Sequence, residues 1–307
     1  MGKFVLQRVG AALIVAWIAL SAAFVVLRAL PGDAVDATLA RAGASPAEVA
    51  ARRESLGLTD PLWQQYATYL GGVARGNLGE SLVTGQPVAQ MIGQNLGPTA
   101  ALAGSALLVG VTLGLALGLV AGLASRRAPG WLAEGAAALA LSMPVYWTAT
   151  LAIYIFTVVL AVLPGVGGSG PRHLILPAAV LGFHTAGSIA QVTARSIRRA
   201  AGQDFVRTAR AKGLGEADVA DHILRVGLLP VIAVIALQLG FLLGGTVVTE
   251  SIFVRQGLGR LLLTAIDNRD FPVIQGVVTL TALAYSAIHA LADVLYALAD
   301  PRMRVEG

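Results

Sequence analysis

The stretch ARSIRRAAGQDFVRTARAKGLGEADVADHILRVGLLP, residues 194–230, decides the fold because it is a strongly basic segment between two apolar runs. It carries seven of the chain's 22 lysines and arginines: Arg195, Arg198, Arg199, Arg207, Arg210, Lys212 and Arg225. Each flanking run reaches the roughly 20 residues that cross a bilayer. Basic loops between membrane spans stay on the cytoplasmic side, so residues 195–227, the basic loop, are expected there.

Two short helices are predicted inside the basic loop. Asp204 is placed to cap the first helix, and Arg210 and Lys212 suit the negative potential at its C-terminal end. Gly213 fits the left-handed residue that follows a helix, because glycine adopts a positive φ without steric cost. A second helix is opened by acidic residues and ends before a proline: Glu216, Asp218, Asp221 and Pro230.

The first of these helices is amphipathic. Its apolar side chains share one side, at positions i, i+1 and i+4: Phe205, Val206 and Ala209. We expect the helix pair to present Phe205 and the arginines to water, which is typical of a docking surface for another protein. An ordinary cytoplasmic loop is the alternative, but such a loop needs only a few positive charges and no capped helices.

The composition places the chain among polytopic all-α membrane proteins. Hydrophobic residues make up 56% of the chain and charged residues 13%, whereas soluble domains carry about 25% charged residues.

The chain has no cysteine, which excludes disulfides, zinc–thiolate sites and cysteine nucleophiles. The four histidines lack metal-ligand spacing and no phosphate-binding loop occurs, so no metal, ATP or catalytic site is predicted. The basic residues lie at membrane edges, which argues against nucleic-acid binding.

Six membrane spans are predicted in one transmembrane domain over residues 1–307, at residues 9–30, 96–124, 131–163, 174–194, 228–250 and 273–298. A signal peptide is the alternative for the first span, but its apolar run is long and no small-x-small cleavage site follows. Pro144 is expected to bend the third span. Six spans put both termini in the cytoplasm, and 13 of the 22 basic residues then lie inside.

The second predicted span carries a ridge of small residues. Glycine recurs there at every fourth position: Gly110, Gly114, Gly118 and Gly122. Such a ridge lets another helix approach closely where lipid gives no hydrophobic driving force. The pattern predicts helix packing rather than a ligand site.

The longest polar stretch, residues 33–95, is expected to be a helical segment outside the membrane. Ser45 and Glu48 form a capping box, and another helix starts after Asp60. One face of that helix is apolar and rich in aromatic residues: Leu62, Trp63, Tyr66, Tyr69, Leu70 and Val73. Such a face suits either the lipid headgroup boundary or packing against the protein's own helices.

Polar residues inside the predicted spans are the candidates for a translocation path, because ionisable groups in spans usually face a bundle interior or water. Glu250, at the outer end of the fifth span, is interpreted either as a path or gate residue or as a structural hydrogen-bonding group. His184 and Gln238 are further candidates for lining a path. His289 and Asp293, four residues apart on the sixth span, are interpreted as a structural pair.

The basic loop resembles the "EAA" loop of ABC-importer permeases, in the version found in the dipeptide/oligopeptide/nickel family. The resemblance rests on RTARAKGL at 207–214, HILR at 222–225 and LP at 229–230. Gly213 and Ile223 fall in the family's register, whereas Arg207 and Thr208 stand where Glu and Ala are usual. Similar segments lie along the rest of the chain: LPGD at 30–33, GNLGES at 76–81, SMPVYW at 142–147, GLGR at 257–260, RDFPVIQ at 269–275 and DPRMR at 300–304.

The resemblance implies a multi-pass permease subunit of a binding-protein-dependent ABC importer in the bacterial inner membrane, with a peptide, nickel or a metallophore as cargo. It implies a second homologous permease, two cytoplasmic ATPase subunits that bind ATP and magnesium, and an extracytoplasmic solute-binding protein. The family's loop is a coupling helix that fits a groove of the ATPase, which carries over to Asp204, Phe205, Arg207, Thr208, Ala209, Arg210, Lys212, Gly213 and Leu214. A stand-alone secondary transporter or channel is the alternative, but such proteins often show inverted repeats, and none is clear here.

Overall fold

The computed structural model describes residues 2–29, 45–55, 57–125, 127–168 and 170–299. The described residues form α-helices α1 Gly2–Ala29, α2 Pro46–Ser55, α3 Leu62–Ala74, α4 Val88–Leu123, α5 Ala128–Ser142, α6 Val145–Ile153, α7 Pro171–Ala201, α8 Asp204–Ala211, α9 Glu216–Gly227, α10 Leu229–Ile252, α11 Leu258–Asp267 and α12 Phe271–Ala299. A π-helical turn, Tyr154–Val159, continues α6. In these residues the only β pairing is an isolated antiparallel bridge between Glu80 and Pro87.

Helix length and hydropathy confirm the prediction of an all-α membrane protein. Five segments are long and apolar enough to cross a bilayer: Val9–Ala29, Val88–Leu123, Pro171–Ala201, Leu229–Ile252 and Phe271–Ala292. A sixth crossing results if the bent pair Ala128–Ser142 and Val145–Val159 counts as one span. The second span starts earlier than predicted, at Val88, and the fourth span, Pro171–Ala201, exceeds its predicted bounds at both ends. In both cases the helical backbone continues into the polar flanks.

The third span is bent at Pro144, as predicted, and the helix is interrupted there. It breaks between α5 and α6, and the two parts differ in direction by 103°. Pro144 lacks an amide hydrogen and its ring pushes the preceding residue out of the helical region. Met143 accordingly has φ −81° and ψ 130°, which is extended backbone. The proline therefore produces the expected bend, in the form of a sharp corner that separates two helices.

The chain's contacts divide it into two compact units. One consists mainly of Ala100–Arg255, and the other combines Val9–Thr99 with Gln256–Ser286, here called the N-terminal unit. The prediction of a single transmembrane domain over residues 1–307 stays a prediction. The basic loop lies in the first unit, and the long polar segment lies in the N-terminal unit.

The glycine ridge of α4 packs directly against α7, as predicted. An added Cβ at these glycines would lie within 2.5–2.8 Å of a side-chain atom of α7, which is closer than any real Cβ contact. Pairs spaced by four residues on both helices make these contacts: Gly110 with Thr185, Gly114 with Ile189, Gly118 with Thr193 and Gly122 with Ile197. Each glycine thus accepts one branched side chain, which maximises van der Waals contact between the helices.

The aromatic face of α3 packs against α1 in the N-terminal unit, which is one of its two predicted roles, while the role at the lipid headgroup boundary stays a prediction. The rings of Tyr66 and Tyr69 lie 5.2 Å and 5.8 Å from the ring of Phe24 on α1. The Tyr66 hydroxyl also shares a 2.6 Å hydrogen bond with the hydroxyl of Ser21. Leu62 and Trp63 remain 61% and 72% exposed, so this end of the face is available to lipid headgroups.

The predicted capping box starts α2. The Ser45 amide donates to the Glu48 carboxylate at 2.7 Å, and the Glu48 amide donates back to the Ser45 hydroxyl at 3.4 Å. These hydrogen bonds lower the pKa of Glu48, because they stabilise its charged form. Serine at the cap and glutamate three residues later suffice to predict this helix start.

The glycine ridge leads to a stability prediction. Gly118→Val is expected to destabilise the protein by about 1–3 kcal/mol, because the new Cβ would lie 2.5 Å from the Cβ of Thr193. Gly104→Val on the same helix is the control, since a Cβ there meets nothing within 4 Å. Thermal unfolding of the detergent-solubilised protein measures the difference. Equal melting temperatures for the two variants would contradict the proposed role of the ridge.

Candidate functional site

The two short helices of the basic loop are held together by an apolar cluster. Its buried members come from the end of α7, from α8 and from α9: Ile197, Ala200, Val206, Ala209, Val219 and Ile223. Val206 and Val219 are only 2% and 1% exposed. Full burial of such side chains contributes about 1.5–3 kcal/mol each. The loop is therefore a small packed substructure and not a flexible connection.

The start of α8 corrects the predicted cap. Asp204 is the first helical residue, and Gln203 occupies the cap position with extended backbone and no side-chain cap hydrogen bond. The Gln203 carbonyl accepts a hydrogen bond from the Val206 amide, which fixes the helix start one residue earlier than predicted. Asp204 still favours this end electrostatically, because a negative charge suits the first turn of a helix.

The end of α8 is a Schellman motif around Gly213. Gly213 has φ +80°, as its predicted left-handed conformation requires. The Leu214 amide donates to the Ala209 carbonyl at 3.2 Å, and the Gly213 amide donates to the Arg210 carbonyl at 3.0 Å. Leu214 then packs against the apolar cluster. The turn thus satisfies the last carbonyls of α8 and directs the chain into α9.

An ion pair joins the two helices on the outside of this turn. Two guanidinium nitrogens of Arg210 donate to the carboxylate of Glu216, with Nε–Oε1 and Nη2–Oε2 distances of 3.1 Å and 3.2 Å. Both side chains are largely exposed, so this bidentate pair contributes at most about 1 kcal/mol. Its main effect is to orient the guanidinium of Arg210 along the surface.

Phe205 differs from the prediction. Its ring is half-buried and packs against the apolar cluster, so only part of it remains accessible to water. The reason is that Phe205 shares a helix face with Val206 and Ala209, and that face is turned inward. The exposed face is polar and basic instead, and it comprises Arg207, Thr208, Arg210, Ala211 and Lys212. The side chain of Arg207 is 84% exposed.

The exposed face of α8 can bind an acidic or polar partner surface but offers no group for covalent or metal chemistry. Within the described residues no cluster of three or more potential metal-ligating side chains exists. The apolar cluster beneath the face holds α8 at a fixed orientation. A partner that pushes or pulls on this face therefore acts on α7 and α9 as well.

The three candidate path residues occupy different environments. Glu250 is fully buried, at 0% exposure, although α10 ends only two residues later. Its carboxylate interacts electrostatically with Arg255, which is 8% exposed. Arg255 also donates a hydrogen bond to the His173 carbonyl at 2.9 Å. Burial lowers the pKa of the Arg255 guanidinium, and the charge of Glu250 opposes this shift. This arrangement favours the structural interpretation of Glu250, while its path or gate role stays a prediction.

Sequence reasoning missed Arg255. It follows the fifth predicted span and was not named as a candidate, whereas the structure buries it near Glu250. A possible signal was its position directly after the apolar run that ends in Phe253 and Val254, since an isolated charge there needs a partner.

His184 is placed at the corner between α5 and α6. Its Nε2 lies 2.8 Å from the Thr148 hydroxyl on α6, and the Ala140 backbone on α5 is a second polar neighbour of the ring. The histidine thus contacts both arms of the broken span. Gln238 is half-buried on α10, and neither it nor His184 hydrogen-bonds to Glu250 in the described structure. Their path-lining roles stay predictions, and the side chain of Asp293, proposed to pair with His289, lies outside the described residues.

Two family models match the chain. The model described as "Binding-protein-dependent transport system inner membrane component" matches residues 114–305. The model described as "Binding-prot-dependent transport system membrane comp, N-term" matches residues 1–103. Together they account for nearly the whole sequence.

Relatives match over similar lengths. A putative peptide transport system permease protein of Brucella abortus is 37% identical over 318 residues, which cover 100% of each chain. The glutathione transport system permease protein GsiC of Escherichia coli is 36% identical over 282 residues, which cover 92% of each chain. A crystal structure of an amino acid ABC transporter shares the fold, with a TM-score of 0.52 and 16% identity over 69% of this chain and 94% of that chain.

The turn at Gly213 leads to a prediction about local stability. Gly213→Ala is expected to weaken the α8–α9 turn by roughly 1–2 kcal/mol, because a left-handed backbone strains any residue with a Cβ. Amide hydrogen exchange in residues 204–214 should then be about 5–30 times faster. Gly202→Ala is the control, since its φ is −86° and its new Cβ meets nothing closer than 3.6 Å. Unchanged exchange in Gly213→Ala would show that the turn carries no strain.

Proposed function

Because this chain belongs to the binding-protein-dependent transport system inner membrane components, which are permease subunits of ABC importers, we propose that it forms part of a peptide translocation path driven by separate ATPase subunits. The protein is a multi-pass protein of the inner membrane. The peptide cargo is supported by the names of relatives that transport peptides or glutathione. No relative reported above is named for nickel or a metallophore.

The exposed basic face of α8 is the observation that carries the proposed coupling. A loop that only connects two membrane spans does not need a helix with a Schellman motif, a packed apolar cluster and a bidentate ion pair. These features hold Arg207, Thr208 and Lys212 in a fixed arrangement on the outside. Such a rigid surface can transmit the movement of a docked ATPase to α7, because closely packed helices move as units.

The remaining partners follow from this assignment. Both termini and the basic loop face the cytoplasm in the proposed orientation, and the segment over residues 33–95 lies outside. A second homologous permease completes the path, and a solute-binding protein delivers the cargo. ATP and magnesium bind to the ATPase subunits, so this chain carries no cofactor and is not an enzyme. A stand-alone secondary transporter or channel is the competing function.

The proposed orientation can be tested by chemical labelling, because the natural chain has no cysteine. Thr208→Cys in the exposed face of α8 and Thr59→Cys before α3 are both at exposed positions. A membrane-impermeant maleimide added to intact cells should label Thr59→Cys but not Thr208→Cys, and both should react after cell lysis. Labelling of Thr208→Cys in intact cells would contradict a cytoplasmic basic loop.

Charge reversal on α8 tests the coupling. The Arg207→Glu chain should fold and insert into the membrane normally, because the 3.8 Å contact of Arg207 with Asp204 joins two highly exposed side chains and contributes little stability. We expect cargo-stimulated ATP hydrolysis and uptake to fall about tenfold or more, which corresponds to about 1.4 kcal/mol of lost docking energy. Arg75→Glu, also at an exposed position, is the matched control in the N-terminal unit.

The outcomes separate the two functions. Full coupling in Arg207→Glu would remove the exposed face of α8 from the mechanism. Uptake by the purified chain in liposomes without an ATPase would favour a stand-alone transporter or channel. Co-purification of the chain with an ATP-hydrolysing subunit, lost in Arg207→Glu but retained in Arg75→Glu, would support the proposed coupling directly.

A further inference from the structure

An apolar groove of about 380 Å³ lies between α1 and α3 in the N-terminal unit. Its volume falls within the range of small-molecule sites, which is about 300–1,000 Å³. Its walls come from the second half of α1 and the start of α3: Ser21, Phe24, Val25, Arg28, Ala29, Leu62, Trp63 and Tyr66. None of the path candidates that the sequence suggested is among them.

Two hydrogen bonds define how deep α3 lies beside the membrane spans. The Tyr66 hydroxyl contacts that of Ser21, eight residues before the end of the first span. The Tyr69 hydroxyl shares a 2.9 Å hydrogen bond with that of Thr279, eight residues after the start of the last span. Because a helix rises about 1.5 Å per residue, both bonds lie about 12 Å along the spans from their ends. In the membrane the aromatic face of α3 therefore reaches below the headgroups.

The polar atoms at the deep end of the groove bind one another. The Ser21 hydroxyl donates to the Trp17 carbonyl at 2.7 Å, so it accepts the hydrogen of Tyr66 in their 2.6 Å hydrogen bond. Neither hydroxyl has a hydrogen left to donate to a ligand. An apolar occupant therefore fits this end of the groove better than a polar one, because it displaces no hydrogen bond.

The groove is continuous with the side of α1 that faces lipid. Val25 in the groove is more than half exposed, and so are Val26 beside it and Ile18 two turns earlier. On the opposite wall, Leu62 and Trp63 are also exposed. Tryptophan is enriched at the boundary between hydrocarbon and headgroups. The groove thus opens toward the bilayer, which supplies the apolar molecules that can enter it.

The length of the groove matches one lipid leaflet. Its α1 wall runs from Ser21 to Ala29, which is about 12 Å along the helix axis. A leaflet contributes about half of the roughly 30 Å hydrocarbon core. Arg28, in the last turn of α1, marks the headgroup level, since long basic side chains near helix ends extend to the interface. The groove therefore follows most of the depth of one leaflet.

We propose that this groove holds one acyl chain of a phospholipid. The acyl chain lies between Val25 and Ala29 of α1 and Leu62 and Trp63 of α3. Its binding uses apolar contacts alone and leaves the hydrogen bond from Arg28 to Gln65 in place. Acyl-chain binding requires neither ATPase coupling nor a particular cargo. Only the identity of the leaflet, the outer one, rests on the proposed orientation.

Photo-cross-linking tests the occupant. The probe is phosphatidylcholine with a diazirine in one acyl chain, in liposomes that contain the protein with its co-purifying subunits. Free lipid is exchanged for detergent before illumination, so that loosely bound lipid leaves the rest of α1. We expect mass spectrometry to find the retained lipid attached to residues 62–66 of α3 and to residues 21–29 of α1.

A matched pair of variants makes this test specific. Val25→Trp fills the groove and Val26→Trp is the control, because the two valines are 62% and 59% exposed but only Val25 lines the groove. We expect Val25→Trp to lower labelling of residues 62–66 about tenfold, because its ring displaces several methylene groups, and Val26→Trp to leave it unchanged. Ala29→Phe and Ala22→Phe, both at exposed positions, form a second pair if Val25→Trp lowers the melting temperature.

Several outcomes would overturn the proposal. One is equal labelling of residues 62–66 in Val25→Trp and in the natural protein. Another is labelling that detergent exchange removes from the groove and from the rest of α1 alike. Labelling only after the co-purifying subunits are removed would mean that a partner helix fills the groove instead of lipid.

The acyl-chain site and the proposed orientation fail in different experiments. Retained labelling of residues 62–66, together with reaction of Thr208→Cys in intact cells, would refute the orientation and leave the acyl-chain site supported. Loss of that labelling with the expected cysteine pattern would refute the acyl-chain site alone.

Discussion

The structure depends on the close contact between the glycine ridge of α4 and the branched side chains of α7. In a bilayer the hydrophobic effect gives helices little reason to associate, so van der Waals contact at short range must hold them together. Ile197 extends this contact to the basic loop. An added Cβ at Gly122 or at Gly227 would lie within 2.8 Å of its side chain, and Ile197 also belongs to the apolar cluster beneath α8. One continuous packed column therefore links the membrane helices to the proposed docking surface.

Much of this architecture could be predicted from the sequence, because the decisive signals are local. Hydropathy identifies the spans, the four-residue spacing of glycine identifies a packing ridge, and Gly213 marks a left-handed helix end. Ser45 and Glu48 similarly identify a helix start. Each of these features needs only neighbouring residues to act. The resemblance to ABC-importer permeases was confirmed by both family models and by full-length relatives.

The errors arose where tertiary contacts decide. Phe205 was expected in water, but Val219 and Ile223 on the next helix cover the face that it shares. The proline in the third span indicated a bend, yet the size of the turn depends on what packs against both arms. Burial of Arg255 was signalled only weakly, since a charged residue after an apolar run is as compatible with solvent as with a buried site. In each case the missing information is which distant segment provides the neighbouring surface.

The corner between α5 and α6 has a consequence for what surrounds the protein. A helix that stops inside a hydrocarbon layer leaves carbonyl groups in its last turn without amide donors from a next turn. Lipid tails cannot hydrate those groups, so irregular backbone at that depth occurs only where protein or water covers it. His184 reaches the corner from α7 and leaves the outer side uncovered. If the two arms cross the bilayer together, that side must therefore face another subunit or an aqueous cavity rather than bulk lipid.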